Sequence, residues 1–160
     1  EYHVPYFGIC LGMQIGVIAF ARSVAGMADA NSGEFDDKSA HKVIDFLPDQ
    51  NDSVAKGGTL RLGAYPCAIV PGTQMEKAYG ASHIYERHRH RYEFNNDFRQ
   101  TLQEAGLVIS GTSPDGYIVE TVELSAAPFY LGVQFHPEFK SRPNKPHPLF
   151  VAFVKASLEK

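Results

Sequence analysis

Apolar and polar positions along this chain follow two periods, one close to 2 and one close to 3.6. Val4 to Ile9 is a short apolar and aromatic run, as expected of a buried strand. Ile15, Val17, Ile18, Phe20 and Val24 then recur at spacings that suit the apolar face of a helix from Leu11 to about Val24. Asp29 to Asp37 is a polar, turn-rich loop, and Lys42 to Leu47 reads as a short strand. Pro48 to Ser53 is polar and loop-like. Gly57, Gly58 and Gly63 mark a turn opening a strand that continues from Ala64 to Val70, where Pro66 predicts an edge position or a break. Gln74 to Tyr79 is a short helix candidate, and Tyr85 to Phe94 is extended. Asn95 and Asn96 cap a helix whose apolar face is Phe98, Leu102 and Ala105, with Gly106 as its stop. Leu107–Gly111 and Tyr117–Glu123 form a hairpin across Ser113–Gly116. Phe129 to Phe135 is a near-continuous apolar strand. Leu149, Phe150, Phe153, Val154 and Leu158 make an amphipathic closing helix, with Pro148 in its first turn.

A chain of 160 residues can bury one real core, and no repeat, low-complexity segment or domain boundary divides it. The net charge of −3 gives no general pull towards nucleic acid or acidic membranes. No apolar run is long enough to span a bilayer, and no basic-then-apolar leader is visible. Cys10 and Cys67 make no disulfide scaffold, so reduced, cytosolic conditions are the default. The first residue is Glu1 and a buried strand begins almost at once, so the chain is expected to be the tail of something longer, with earlier strands missing.

Chemistry concentrates at three places. Gly8-x-Cys10-x-Gly12 joins the first strand to the first helix. This is the cysteine analogue of a nucleophile elbow, where flanking glycines let the chain turn sharply and present one side chain. A thiol at a helix N-terminus sees the positive end of the helix dipole, which favours thiolate. A buried structural cysteine is the competing reading of Cys10. For Cys67, which has no nucleophile-like context nearby, the structural reading prevails.

The second place is Glu86-Arg87-His88-Arg89-His90-Arg91-Tyr92-Glu93. On an extended strand, Arg87, Arg89 and Arg91 share one side, and His88, His90 and Tyr92 the other. Four readings stay open: a zinc site without a clear third ligand, a nucleic-acid stripe, an arginine clamp for a carboxylate, and a solvated charged strand. The third place is His136-Pro137-Glu138, after the last strand. Proline extends His136, and a carboxylate beside an imidazole orients it as a base. Taken alone, such a tripeptide is more often a surface turn.

Gly8-Ile9-Cys10-Leu11-Gly12-Met13-Gln14 and Gln134-Phe135-His136-Pro137-Glu138 together resemble the class I glutamine amidotransferases. Asn31–Phe35, Gly57–Gly63, Glu86–Glu93 and His147–Phe150 look like the amidotransferase domain of the CTP synthase family, and the resemblance covers essentially the whole chain. It implies an α/β fold, an open and mostly parallel, flavodoxin-like sheet flanked by helices, with residues 1–160 as one glutaminase domain incomplete at its N-terminus. It implies a triad in which Cys10 attacks the glutamine carboxamide, His136 moves the proton and Glu138 orients His136. Leu11, Gly12, Met13, Gln14, Glu34 and Arg91 would bind glutamine, with the Leu11 amide also an oxyanion donor. No cofactor or metal belongs to this chain. ATP and Mg2+ would serve a separate synthase domain that aminates UTP to CTP, GTP would stimulate the glutaminase step, and the whole enzyme would be a cytoplasmic homotetramer binding neither nucleic acid nor membrane. Another class I amidotransferase, or a non-catalytic regulatory domain of this kind, is the alternative. The latter usually loses the nucleophile or the histidine, whereas Cys10, His136 and Glu138 are all present.

Overall fold

The apolar run before Cys10 becomes strand β1 (Tyr6–Ile9), and the chain turns directly into helix α1 (Leu11–Ser23). A computed structural model describes residues 4–46 and 61–159. The expected loop at Pro48–Ser53 and the turn glycines Gly57 and Gly58 lie outside them. Beyond α1 come β2 (Asn31–Ser32), β3 (Lys42–Asp45), β4 (Arg61–Ile69), α2 (Gln74–Tyr79), β5 (His83–His90) and β6 (Glu93–Phe94). A short 3-10 turn (Asn96–Phe98) leads into α3 (Arg99–Glu104), followed by β7 (Val108–Thr112), β8 (Val119–Glu123) and β9 (Tyr130–Val133). A second 3-10 turn (Pro137–Phe139) and helix α4 (Pro148–Leu158) complete the described order.

Six strands form one sheet in the order β1-β9-β8-β7-β4-β5, and β2-β3-β6 form a smaller one. The α/β class holds, but the sheet is mixed rather than mostly parallel. Within the six-stranded sheet only β1 and β9 run parallel. The segments joining β7 to β8 and β8 to β9 are too short for a crossover, which needs about a dozen residues, so those strands return antiparallel. In the β7–β8 connection, Gly116 has φ 78° and its amide donates to the Ser113 carbonyl at 2.8 Å.

Two apolar clusters lie on the sheet's opposite faces. Met13, Val17, Ile18 and Phe20 of α1 pack with Leu102 of α3, Ile109 and Val122. Met75 of α2 and Leu149 of α4 pack with Cys67, Leu131, Val133 and Phe135. Gly132 lies under α1: a Cβ there would stand 3.0 Å from both Met13 Cγ and Val122 Cγ2. Ile15 and Val24, expected on the buried face of α1, are exposed, because the sheet covers an arc centred on Met13, Val17 and Ala21 instead. Val154 and Leu158 of α4 are exposed too, since α4 meets the core through Leu149, Ala152, Phe153 and Ala156 instead. Pro66 does not break β4, which runs through it and at that position is paired only with β5.

Candidate active site

Cys10 has φ 50° and ψ −104°, and is the one non-glycine with positive φ among the described residues. A conformation of that kind costs on the order of 1–3 kcal/mol and persists only where the surroundings impose it. Gly8 makes the turn sterically feasible, because a Cβ there would lie 2.7 Å from the Gly12 carbonyl carbon and 2.8 Å from the Met13 nitrogen. Gly12 is not crowded in this way. Its nearest neighbour would be the Tyr6 hydroxyl, at 3.9 Å, and that hydroxyl donates to the Gly12 carbonyl at 2.7 Å.

Parallel pairing then places two chain segments side by side. Ile9 is in register with Val133, and the Cys10 amide donates to the Val133 carbonyl at 2.7 Å. The next residue on the β9 side, Gln134, is buried and its Nε2 donates to Cys10 Sγ at 3.6 Å. Burial pushes the Cys10 thiol up, and Glu138 and Glu93 add to this, while the Leu11 amide and Gln134 pull the other way. The helix N-terminus therefore does not by itself make a resting thiolate; the thiol needs a base.

His136 is held as an imidazole base would be. Its amide donates to the Arg87 carbonyl at 2.8 Å, which ties the segment to β5. The chain does not stay extended through Glu138 as expected. Pro137 opens a 3-10 turn, and that turn brings Glu138 Oε1 to 2.6 Å from His136 Nδ1. With Nδ1–H given to the carboxylate, Nε2 carries the lone pair, and it is buried without a hydrogen-bond partner among the described residues. The Phe139 ring stacks on the imidazole at 5.1 Å. Lys140 fastens the same turn to β5, its Nζ donating to the Tyr85 carbonyl at 2.6 Å and to Glu86 Oε1 at 3.0 Å.

Beside the sulfur lies a cavity of about 380 Å³ lined by Cys10, Leu11, Gln14, Glu34, Arg89, His90, Arg91 and Tyr92. Residues far apart in sequence thus meet, among them Cys10, Gln14, Glu34 and Arg91. Gly12 and Met13 do not line it; Met13 is fully buried in the core against α1's side of the sheet. The alternation in β5 is as expected, with Arg87 and Arg89 outward and His88 and His90 buried. Sequence reasoning gave no role to Gln134, nor to His90 and Tyr92 as cavity walls. Tyr92 lies past the end of β5, where the strand's alternation no longer says which way a side chain points.

Behind the cavity, Arg61 lies between two buried carboxylates, 3.3 Å from Glu93 and 2.7 Å from Glu120. His88 Nδ1 and His90 Nε2 are 2.8 Å apart, bonded to each other. Burial, reinforced by Arg61, pushes these imidazoles down to about 2 and about 3, so both are neutral. The histidines that first suggested a metal are internal, whereas Arg87 and Arg89 face outward. Cys67 is buried, which, with Glu120 and Glu86 nearby, pushes its thiol up to about 12 and leaves it inert.

A strained cysteine, a carboxylate-held imidazole and a cavity with a cation and an anion on its walls fit amide hydrolysis through a thioester. The sequence profile of class-I glutamine amidotransferases matches residues 1–156, and the chain belongs to that family. Within the family it is similar to the CTP synthases of Carboxydothermus hydrogenoformans, 62% identical over 159 residues, and Rubrobacter xylanophilus, 61% identical over 158 residues. It covers 30% and 28% of those two proteins while 99% of the chain is matched in each, so it spans under a third of their length. Among solved structures, the glutaminase domain of Trypanosoma brucei CTPS with bound acivicin superposes with a TM-score of 0.90 at 42% identity, covering 99% of this chain and 61% of that one. Among the described residues, no helix is long and apolar enough to cross a membrane.

Proposed function

We propose that this chain is the glutaminase domain of a CTP synthase, hydrolysing glutamine to supply ammonia. The observation that carries it is the pairing of His136 Nδ1 with Glu138, which leaves Nε2 unpaired to act as a base, together with the strained turn at Cys10. The family likeness supports it, as does the T. brucei glutaminase domain with bound acivicin, a glutamine analogue.

His136 Nε2 takes the Cys10 proton, and the thiolate attacks the carboxamide carbon of glutamine. The carbonyl oxygen becomes an oxyanion that the Leu11 amide stabilises. His136 then delivers the proton to the departing nitrogen, and ammonia leaves as the glutamyl thioester forms. Water, deprotonated by His136, attacks the thioester and releases glutamate and the free thiol. Arg91 suits the substrate α-carboxylate and Glu34 its α-ammonium, while Gln14 Oε1 can accept from the substrate, its two Nε2 hydrogens being given to Tyr92 and Gln134.

In the whole enzyme, ammonia passes to a synthase domain of the same polypeptide that uses ATP and Mg2+ to aminate UTP, with GTP as activator. Residues 1–160 act as one glutaminase unit of a homotetramer. The cytoplasm is the proposed compartment, consistent with Cys10 and Cys67 both being free.

The test is to treat the protein with a glutamine-mimicking diazoketone and map the adduct by mass spectrometry. Modification at Cys10 that excess glutamine blocks is the expected result. Absence of any adduct, or an adduct on Cys67 alone, overturns the assignment.

A further inference from the structure

Deprotonating Cys10 creates two charges at once, a thiolate and an imidazolium. Glu138 is in place for the imidazolium. The side chain placed for the thiolate, beside the Leu11 backbone amide, is Gln134. We propose that Gln134 is a further catalytic residue of this site, whose side-chain amide donates to the Cys10 sulfur and stabilises the thiolate while His136 holds the proton. The proposal rests on the reading of Cys10 as the nucleophile.

A chain of hydrogen bonds fixes which end of the Gln134 amide faces the sulfur. The Tyr92 backbone carbonyl can only accept, and Gln14 Nε2 donates to it at 3.0 Å. The same Gln14 nitrogen donates its second hydrogen to Gln134 Oε1 at 3.2 Å. Gln134 Oε1 is therefore an acceptor, and its Nε2 must be the atom 3.6 Å from Cys10 Sγ. Reversing Gln134 would set two NH2 groups against each other. His90 Nδ1 lies 3.2 Å from the same Tyr92 carbonyl and holds the origin of the chain in place from β5.

The backbone is equally constrained. Gln134 is fully buried, its amide donates to the Glu120 carbonyl at 2.8 Å, and it follows directly on the β9 residue whose carbonyl receives the Cys10 amide. The donor is thus carried by the parallel ladder that positions the nucleophile. No reorganisation is needed when the charge appears, which is when a preorganised donor is most effective. Once sulfur is acylated its negative charge is gone and the bond weakens, so Gln134 favours the attacking state over the thioester.

The test is the pH dependence of Cys10 alkylation by iodoacetamide in the full-length protein, read on the Cys10 peptide by mass spectrometry. Gln134→Met keeps the length and volume and removes the donor. The midpoint is expected to rise by about one pH unit, so alkylation below it slows about ten-fold while the limiting rate at high pH is unchanged. Glutaminase kcat should fall by a similar factor, with the glutamine KM within about two-fold. Superimposable pH profiles, or an equal loss at every pH, overturn the proposal. If Gln134→Met does not fold, Gln134→Glu replaces it. A carboxylate at the same place should raise the midpoint further, and an unshifted midpoint is again decisive against the contact. Because alkylation needs no glutamine, a shifted profile alongside failed diazoketone labelling would sink the glutaminase reading alone, and the reverse result would sink the role of Gln134 alone.

Discussion

The Cys10 amide and the Val133 carbonyl are 2.7 Å apart, and this one bond joins the two strand ends that carry the chemistry. It follows the parallel register of Ile9 with Val133, so Cys10, the proposed nucleophile, and His136, the proposed base, lie just beyond the ends of adjacent strands. Four outcomes follow from how the surrounding groups are held.

Replacing Cys10 with Ala in the full protein should abolish glutamine-dependent CTP formation and spare the reaction driven by free ammonia. Steady-state assays with each nitrogen source distinguish the two. Equal loss of both would show that this chain and the synthase chemistry are not divided as proposed.

Arg91 and Glu34 both line the cavity that also carries Cys10. Removing a charge-assisted contact to a carboxylate costs about 1.5–3 kcal/mol, so Arg91→Ala should raise the glutamine KM by roughly ten- to a hundred-fold. Ammonia-driven turnover should be nearly unaffected. A change in UTP affinity instead would reassign the residue.

His88 is neutral in the fold, with Arg61, Glu120 and His90 around it, and its pKa is pushed down to about 2. The unfolded chain takes up a proton near pH 6.5, so this group's contribution is present above that pH and is lost as pH falls below it. Between pH 6.5 and 4, wild type should lose stability relative to His88→Gln by up to roughly 1.4 kcal/mol per pH unit. Urea unfolding of both proteins across that range measures the difference, and parallel curves would contradict it. Comparing the pair cancels the opposite effect of Glu93, whose carboxyl burial raises to about 8.

Gly8 and Gly12 flank the same cysteine but should respond differently to Ala. At Gly8 the new Cβ would meet backbone at 2.7 Å, so α1 must shift and the cost should be about 1–3 kcal/mol or more. At Gly12 the nearest atom is 3.9 Å away, and an alanine inside a helix turn should leave stability unchanged or raise it by about 0.5–1 kcal/mol. Thermal denaturation of the two variants decides this, and an equal loss would mean that the elbow depends on both glycines.

Much of the site was legible because its motifs are local. The elbow at Cys10 and the His136–Glu138 pair each lie within a few residues, and backbone geometry over such distances follows from residue type. Alternation along β5 correctly separated Arg87 and Arg89 from His88 and His90, since a strand turns each side chain to the opposite face. Legibility failed where neighbours decide. Ile15 and Val24 fit a helical stripe, yet they face away from the sheet. The sheet's direction was misjudged because the short returns between β7, β8 and β9 outweigh the single parallel pair at the edge.

The sequence by itself determined the elements, the strained turn at Cys10 and the proline-set orientation of His136, all of which depend on contacts within a few residues. Only the tertiary structure decided that Gln134 faces the sulfur, that Glu34 and Arg91 share a cavity with it, and that Arg61 lies between Glu93 and Glu120. Those relationships depend on strand register and on which faces the sheet buries, and both are set by packing between segments distant in the chain rather than by any residue's own preference.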